Sequence, residues 1–262
     1  MSVFADINPL YSLSGFLIGA LVGCTGIGGG SLMTPLLVLL FGITPATAVG
    51  TDLLYAAVTK SGGTLVHARN RTIDWRITRL LASGSVPTTF ATIFALSHFG
   101  KADAATNAWI TTILGFSLLL TAAALVARTM YLRKPSRLTA GYSESTTSVL
   151  TILLGAVMGV LVSITSVGAG AIGVTVLLIL YPRLPTARIV GADIAHAVPL
   201  TLIAGLGHWW LGSIDWSLLV SLLVGSLPGI ALGSYFAARA PERLLSLLLA
   251  ATLVLVGTRL VL

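Results

Sequence analysis

The chain has 262 residues, of which 56% are hydrophobic and 9% are charged. Soluble domains carry roughly 25% charged residues, so this composition indicates a membrane protein. The net charge of +7 does not predict a nucleic-acid partner, because the basic residues lie in short stretches between apolar segments. Cys24 is the only cysteine, which excludes a disulfide framework and a cysteine-based metal site. No metal or other cofactor is predicted.

Continuous apolarity along the chain predicts an all-α polytopic membrane protein with ten segments. In chain order the segments are predicted at residues 9–25, 31–42, 51–67, 77–98, 105–131, 149–165, 171–182, 192–211, 216–238 and 242–262. The second and seventh hold only about a dozen residues, whereas spanning a bilayer core takes about 20. A glycine break precedes both, so segments 1–2 and 6–7 are predicted to be short crossings or re-entrant hairpins.

The second five segments repeat the first five at spacings of 136 to 141 residues. At 136, Gly19 and Gly23 match Gly155 and Gly159, and at 140, Gly28, Gly30 and Pro45 match Gly168, Gly170 and Pro185. At 141, Gly50-Thr51-Asp52 matches Gly191-Ala192-Asp193, and Gly84-Ser85-Val86-Pro87 matches Gly225-Ser226-Leu227-Pro228. We therefore predict a first repeat at 1–131, a linker at 132–147 and a second repeat at 148–262.

Each repeat has an odd number of segments, so the two halves are predicted to insert into the membrane with opposite orientations. Basic residues of membrane proteins accumulate on the cytoplasmic side. Placing the loop 69–79 in the cytoplasm puts twelve basic residues inside and leaves only Lys101 and Arg259 outside. The linker is then cytoplasmic, and both termini are predicted to be periplasmic.

Two glycine breaks interrupt the apolar sequence, one in each half. Unpaired backbone groups are unfavourable in lipid, so such breaks must be buried in protein or line a cavity. Helix starts present free N–H groups, and glycines let a ligand approach the backbone, so the breaks are interpreted as an anion site. Close helix packing through small residues, which fits Gly19 and Gly155, is the alternative. The predicted substrate-binding residues of the breaks are Thr25, Gly28, Gly29, Gly30, Ser31, Thr165, Ser166, Gly168, Ala169 and Gly170.

Lys60 is the one basic residue deep inside an apolar segment. A lysine at the centre of a membrane helix costs at least about 2.5 kcal/mol on insertion scales, so it should face a cavity or a partner. It could bind an anionic substrate, or hold a proton that leaves when substrate binds. A structural pair with a carboxylate or with carbonyl groups is the alternative. Its repeat counterpart is Thr201, so only one half supplies this charge.

Asp52 and Asp193 are predicted to begin the third and eighth helices, where the helix dipole alone would favour a carboxylate. A proton-coupling role is the alternative interpretation. His196 lies one turn after Asp193 and could relay protons or serve only in packing. His67 and His208 lie near helix ends and are predicted to be interfacial.

Four stretches carry a recognisable pattern: GALVGCTGIGGGSLMTPLL and AVGTDLLYAAVTKSGG in the first half, then GAVMGVLVSITSVGAGAIG and IVGADIAHAVP in the second. With these motifs in this order, nearly the whole chain resembles the sulfite exporter TauE/SafE family, also called the toluene-sulfonate uptake permeases. The resemblance implies a bacterial inner-membrane secondary carrier for small sulfur-containing anions such as sulfite, sulfonates or sulfoacetate. Ala169 replaces the middle glycine, and Thr175 stands where Pro35 stands, so the second break departs from the first.

The expected function is a secondary transporter that moves a small oxyanion by alternating access. Proton coupling is expected, with Lys60, Asp52, Asp193 and His196 as candidates. A small anion and the lipid bilayer are the expected partners, and a homodimer is compatible with the sequence. An enzyme is not expected, because the chain contains neither a Walker A motif nor an H-E-x-x-H zinc site. A passive small-anion channel is the alternative, since facing helix starts also suit channels.

Overall fold

A computed structural model describes residues 7–25, 30–98, 104–130, 143–236 and 242–262. These residues form ten α-helices and no β-strand, so the predicted all-α class is confirmed. The helices are α1 (Pro9–Thr25), α2 (Gly30–Phe41), α3 (Pro45–Arg69), α4 (Trp75–His98), α5 (Ala104–Met130), α6 (Glu144–Thr165), α7 (Ile172–Leu180), α8 (Thr186–Trp210), α9 (Trp216–Phe236) and α10 (Glu242–Val261).

α3 and α8 each begin six residues before the start that apolarity predicted. Pro45 is the first residue of α3, and Pro185 directly precedes α8. The fixed φ of proline suits a helix start, and its missing N–H costs nothing there. Asp52 and Asp193 therefore lie about two turns inside their helices, and the prediction that they begin them was wrong. The dipole of a first helical turn does not account for these two carboxyl groups.

α6 also begins earlier than predicted, at Glu144. The Ser143 side chain caps it by accepting a hydrogen bond from the Thr146 N–H at 3.2 Å. The last residues of the predicted linker are therefore helical, and residues 131–142 lie outside the described part of the chain. The first residues of this helix are polar, and for this reason the segment predicted from apolarity began only at residue 149.

Five of the described helices are long and apolar enough to cross a membrane, namely α4, α5, α6, α8 and α9. Shorter apolar stretches lie in α1, α2 and α10. Large hydrophobic side chains remain exposed on the outer helix faces, among them Phe90, Phe94, Trp109, Phe116, Leu153, Val157, Leu248 and Leu255. An apolar outer surface of this kind indicates contact with lipid. The protein is a multi-pass membrane protein.

Two helix pairs pack in the same way, α1 along α9 and α4 along α6. The facing residues are Gly15 with Leu222 and Gly19 with Ser226 in the first pair, and Gly155 with Leu81 and Gly159 with Ser85 in the second. A Cβ on any of these glycines would run into the backbone of the opposite helix. Residue numbers rise together along both partners, so the partners run parallel. The glycines therefore set the helix spacing, as small residues do in membrane proteins.

α3 and α8 are repeat counterparts and form an antiparallel pair. The facing residues are Gly50 with His208, Leu54 with Gly205, Gly63 with Ile194 and His67 with Gly191. Counterpart helices that run in opposite directions are what an inverted repeat produces. These contacts are arranged symmetrically on either side of a point near Thr59 of α3 and its counterpart Leu200 of α8. A pseudo-two-fold axis relating the two halves passes through this point.

Two buried clusters flank the central pair of helices. One is built mainly from α6, α7 and α8 together with residues of α3, α4 and α5. The other combines α1, α2 and α3 with α9. Each half therefore completes its core with residues from one or more helices of the other half. Such interlocking makes the two sequence repeats one packing unit rather than two separate domains.

Candidate substrate site between the two halves

The second glycine break forms a buried loop between α6 and α7. Its predicted site residues are Thr165, Ser166, Gly168, Ala169 and Gly170. The backbone is left-handed at three of them, with φ of 59° at Ser166, 116° at Gly168 and 108° at Gly170. Thr165 Oγ1 accepts a hydrogen bond from the Val167 N–H at 3.1 Å. The break is thus enclosed by protein, which is the environment that a break at membrane depth requires.

Of the first break, Gly28 and Gly29 lie outside the described residues. Thr25 is the last residue of α1, and Gly30 and Ser31 are the first two residues of α2. The helices that follow the breaks are short in both halves, with 12 residues in α2 and 9 in α7. The contribution of the first break to substrate binding stays a prediction.

Lys60 lies on α3 next to the point where the pseudo-two-fold axis passes. Its side chain is only 9% exposed. Helical side chains lean toward the helix N-terminus, so the ammonium group extends from this point in the direction of Asp52. The charge of Lys60 interacts with the carboxyl groups of both Asp52 and Asp193. A cation beside the axis is within reach of both halves, so two symmetry-related carboxyl groups share one lysine.

The Asp52 carboxyl group is fully buried and is held by a side chain of α2. The Thr34 hydroxyl donates a hydrogen bond to Asp52 Oδ2 at 2.6 Å. The Ser166 hydroxyl of the second break also lies beside this carboxyl group, but without hydrogen-bond geometry, because neither Ser166 Oγ nor Asp52 Oδ1 has a partner among the described residues. Asp52 of the first half therefore faces the break of the second half.

The Asp193 carboxyl group is equally buried but has a different environment. Neither of its oxygens has a hydrogen-bond partner among the described residues. The Gly170 N–H lies toward it without forming a regular hydrogen bond. Gly173 at the start of α7 packs directly against Asp193 Oδ1, where a Cβ would collide with the oxygen. The glycine at this position gives the carboxyl group its space.

Lys60 makes no direct ion pair with either carboxyl group. Within the described part of the chain, the ion pair closer than 4.0 Å joins Arg76 and Glu144, at 2.6 Å. The buried charges at the centre therefore interact over longer distances, which leaves the ammonium group able to take another anion. At distances beyond direct contact, the attraction in a protein interior still amounts to a few kcal/mol.

The two buried histidines of α8 tie this helix to its neighbours. His196 Nε2 lies 2.8 Å from Ser85 Oγ of α4. His208 Nε2 lies 2.9 Å from the Ser163 carbonyl oxygen of α6 and donates to it. His208 is only 2% exposed, so the prediction that it is interfacial was wrong. The prediction for His208 was based on its position near the end of α8, but the antiparallel helix α3 covers that end through Gly50.

Sequence reasoning did not assign three residues of this region, namely Thr34, Ser85 and Arg128. Thr34 lies directly behind the first glycine break, and Ser85 lies in a repeated Gly-Ser-x-Pro motif, so both carried a signal. Arg128 near the end of α5 interacts electrostatically with Asp193. The proximity of Arg128 to Asp193 could not be predicted, because no sequence feature relates α5 to that carboxyl group. No cluster of three metal-ligating side chains occurs among the described residues.

A buried lysine between two carboxyl groups, beside a broken helix in a lipid-facing bundle, is the organisation of a membrane transporter. Comparison with known families agrees with this class and makes it more specific. The sulfite exporter TauE/SafE model matches residues 11–260, and the chain belongs to that family. The resemblance predicted from the glycine and Gly-x-Asp motifs is therefore confirmed.

Relatives from bacteria and archaea match most of the chain. YjnA of Bacillus subtilis strain 168 is 38% identical over 251 residues, covering 95% of this chain and 98% of that protein. YdhB of the same strain is 31% identical, over 87% of this chain and 89% of the relative. MJ0441 of Methanocaldococcus jannaschii is 26% identical, over 78% and 72%. All three are described as probable membrane transporter proteins, which supports a membrane transporter. No solved structure matches the chain.

Proposed function

We propose that this protein is a secondary transporter that moves a small sulfur-containing oxyanion, of the sulfite, sulfonate or sulfoacetate class, by alternating access. The observation that carries the proposal is Lys60, a buried cation beside the pseudo-two-fold axis with no direct ion pair. Burial of an unpaired ammonium group is unfavourable unless a binding partner uses it. The family description, sulfite exporter, supports the substrate class.

The surroundings of Lys60 suit an oxyanion that arrives with a proton. The Ser166 hydroxyl and the Gly170 N–H face the same region and can donate hydrogen bonds to oxyanion oxygens. Two ionised carboxyl groups in that region would repel an anion. Neutralising one of them with a proton removes the repulsion, so substrate and proton favour each other's binding. Proton-coupled transport follows from this linkage.

The inverted halves provide a route to alternating access. A site on the pseudo-two-fold axis is equivalent with respect to both sides of the membrane. Rocking one half against the other would open it first to one side and then to the other. Because α3 and α8 form the centre, a small change in their contact is sufficient to expose Lys60.

The charge distribution of the loops supports a bacterial inner-membrane location. Arg69, Arg71, Arg76 and Arg79 lie at the end of α3, in the following loop and in the first turns of α4, which supports a cytoplasmic location of that loop under the positive-inside rule. Both termini are then periplasmic. Fusions of a periplasm-dependent and a cytoplasm-dependent reporter to the C-terminus test this orientation, and activity of the cytoplasmic reporter alone would contradict it.

The test of the proposed function uses purified protein in liposomes. We expect saturable uptake of labelled sulfite or a small sulfonate, with counterflow when the liposomes are loaded with the same anion. Lys60→Ala should reduce uptake at least tenfold and abolish thermal stabilisation by the anion. Thr201→Ala is the matched control, because Thr201 is the repeat counterpart of Lys60 and its hydroxyl bonds only within its own helix, to Ala197 and Val198 carbonyls.

Three results would contradict the proposal. Anion stabilisation that survives Lys60→Ala would remove the lysine from the site. Flux that rises linearly with concentration and shows no counterflow would indicate a channel. Stabilisation by carboxylates with none by sulfite or sulfonates would overturn the substrate class.

A further inference from the structure

We propose that Asp193, and not its symmetry counterpart Asp52, is the carboxyl group that binds the coupled proton. The inference rests on the proposed function and assigns the coupling step within the same site. It starts from an asymmetry: two carboxyl groups related by the pseudo-two-fold axis are equally buried but differently bonded.

The asymmetry originates at one position of the repeat. Thr34 of α2 donates a hydrogen bond to Asp52 Oδ2 at 2.6 Å. The counterpart of Thr34 is Val174 of α7, which has no hydroxyl group. Asp193 consequently has no hydrogen-bond donor on either oxygen among the described residues. A hydrogen bond from a neutral donor to an ionised group contributes about 1.5–3 kcal/mol, and this support for the ionised form at Asp52 has no equivalent at Asp193.

The charged and titratable groups around Asp193 come from three helices. Lys60 of α3 interacts with it most strongly, and Arg128 of α5 interacts more weakly. On its own helix, His196 lies one turn away and is engaged with Ser85. The neighbouring residues of α6 and α7, such as Met158 and Gly173, carry no charge. Lys60 is therefore the main support for an ionised Asp193.

Substrate binding removes that support. When an oxyanion takes the Lys60 ammonium group, Asp193 keeps only the weaker interaction with Arg128 and no regular hydrogen bond, and a buried carboxylate in that condition is unfavourable. It then binds a proton from the aqueous phase to which the site is open. Asp52 keeps its charge through the Thr34 hydroxyl. One proton enters with each anion, so transport of a monovalent anion is electroneutral.

The experiment measures protons and anions together in liposomes. A pH-sensitive dye and a labelled anion give the number of protons per anion taken up, a ratio that does not depend on how fast a variant transports. We expect a ratio near one for the wild-type protein, a ratio near one for Asp52→Asn, and loss of proton uptake for Asp193→Asn. Uptake by Asp193→Asn should also become sensitive to membrane potential.

The second pair of variants, Val174→Thr and Thr34→Val, gives each position the residue found at its repeat counterpart. Val174→Thr should supply the donor that Asp193 lacks and thereby weaken anion binding about tenfold at a fixed pH, with the affinity restored at lower pH. Thr34→Val should remove the donor that keeps Asp52 ionised, so that a second carboxyl group can take a proton and anion binding becomes more steeply pH-dependent. Both are measured as ligand-dependent thermal stability on detergent-solubilised protein, so they remain decisive if an aspartate variant does not fold.

The outcomes separate this inference from the proposed function. Wild-type anion uptake without protons, loss of coupling in Asp52→Asn, or equal coupling in both aspartate variants would overturn the assignment of Asp193 while leaving an anion transporter. Unchanged pH dependence in Val174→Thr would also overturn it. Absence of wild-type anion uptake would overturn the proposed function itself.

Discussion

The two halves of this protein share their packing and differ in their chemistry. Gly84 and its counterpart Gly225 both lie against the backbone of a neighbouring helix, in contacts that match residue for residue. At the centre the same symmetry gives Lys60 opposite Thr201, and Thr34 opposite Val174. The comparison shows that helix packing and the chemistry at the centre are subject to different constraints. Helix spacing must be the same in both halves, whereas the proposed substrate on the axis would need only one cation.

A second difference lies where α2 and α7 end. In the first half Tyr11 and Phe41 pack edge to face, with ring centroids 4.8 Å apart. Their counterparts Thr151 and Tyr181 form a hydrogen bond of 2.8 Å. Tyr181 borders a pocket of about 190 Å³ that Arg76 also lines. The same structural position is thus apolar in one half and polar in the other, in agreement with ends that face different sides of the membrane.

The largest effect is expected where the halves are alike. Gly84→Ala and Gly225→Ala should each destabilise the protein by about 2 kcal/mol, because overfilling a packed contact typically costs 1–3 kcal/mol. The added Cβ would meet the backbone of Ile152 in one case and of Ser12 in the other. Thermal unfolding in detergent, followed by tryptophan fluorescence, measures both losses.

Gly62→Ala is the control for this pair. Gly62 lies within α3, and a Cβ there would meet nothing within 4 Å, so alanine should be neutral or stabilising by up to about 1 kcal/mol. A large loss at Gly84 with none at Gly225 would show that the two contacts are not equivalent. Stability equal to that of Gly62→Ala at both sites would contradict the close packing.

An intermediate effect is expected where counterparts have different burial. His208→Ala should cost about 1.5 kcal/mol, because it leaves the buried Ser163 carbonyl without the donor at 2.9 Å. Its counterpart His67 is only partly buried and lies 2.8 Å from Thr72 Oγ1 of the adjacent loop, so His67→Ala should cost less. The measurement is again thermal unfolding. Equal losses at the two histidines would contradict the difference in burial.

Sequence patterns predicted the all-α class, the ten segments and the repeat correspondence, because continuous apolarity and recurring glycines are local signals. The depth of Lys60 in an apolar segment also predicted a buried cation, and Lys60 is buried. The helix starts at Pro45 and Thr186 were misplaced, since an apolar window does not register helical residues that are polar or small. The bonding of Asp52 and Asp193 could not be predicted, because it depends on which face of α2 and α7 meets them.

The smallest effect is expected at the backbone of the breaks. Gly168 has φ of 116°, a conformation that alanine adopts poorly. Gly168→Ala should therefore cost about 1 kcal/mol or more. Part of this cost is steric, since the new Cβ would lie 3.0 Å from Leu161 Cδ2. Thermal unfolding measures the loss, with Gly62→Ala again as the unstrained reference.

The counterpart substitution in the first half extends the comparison to the first break. If the repeat conserves backbone conformation as well as helix packing, Gly28→Ala should cost as much as Gly168→Ala. A loss at Gly168 alone would mean that the second break is the one with an imposed geometry. Because Ser166 of that break faces Asp52 and Gly170 faces Asp193, that result would assign the oxyanion donors to the second half and the cation, Lys60, to the first.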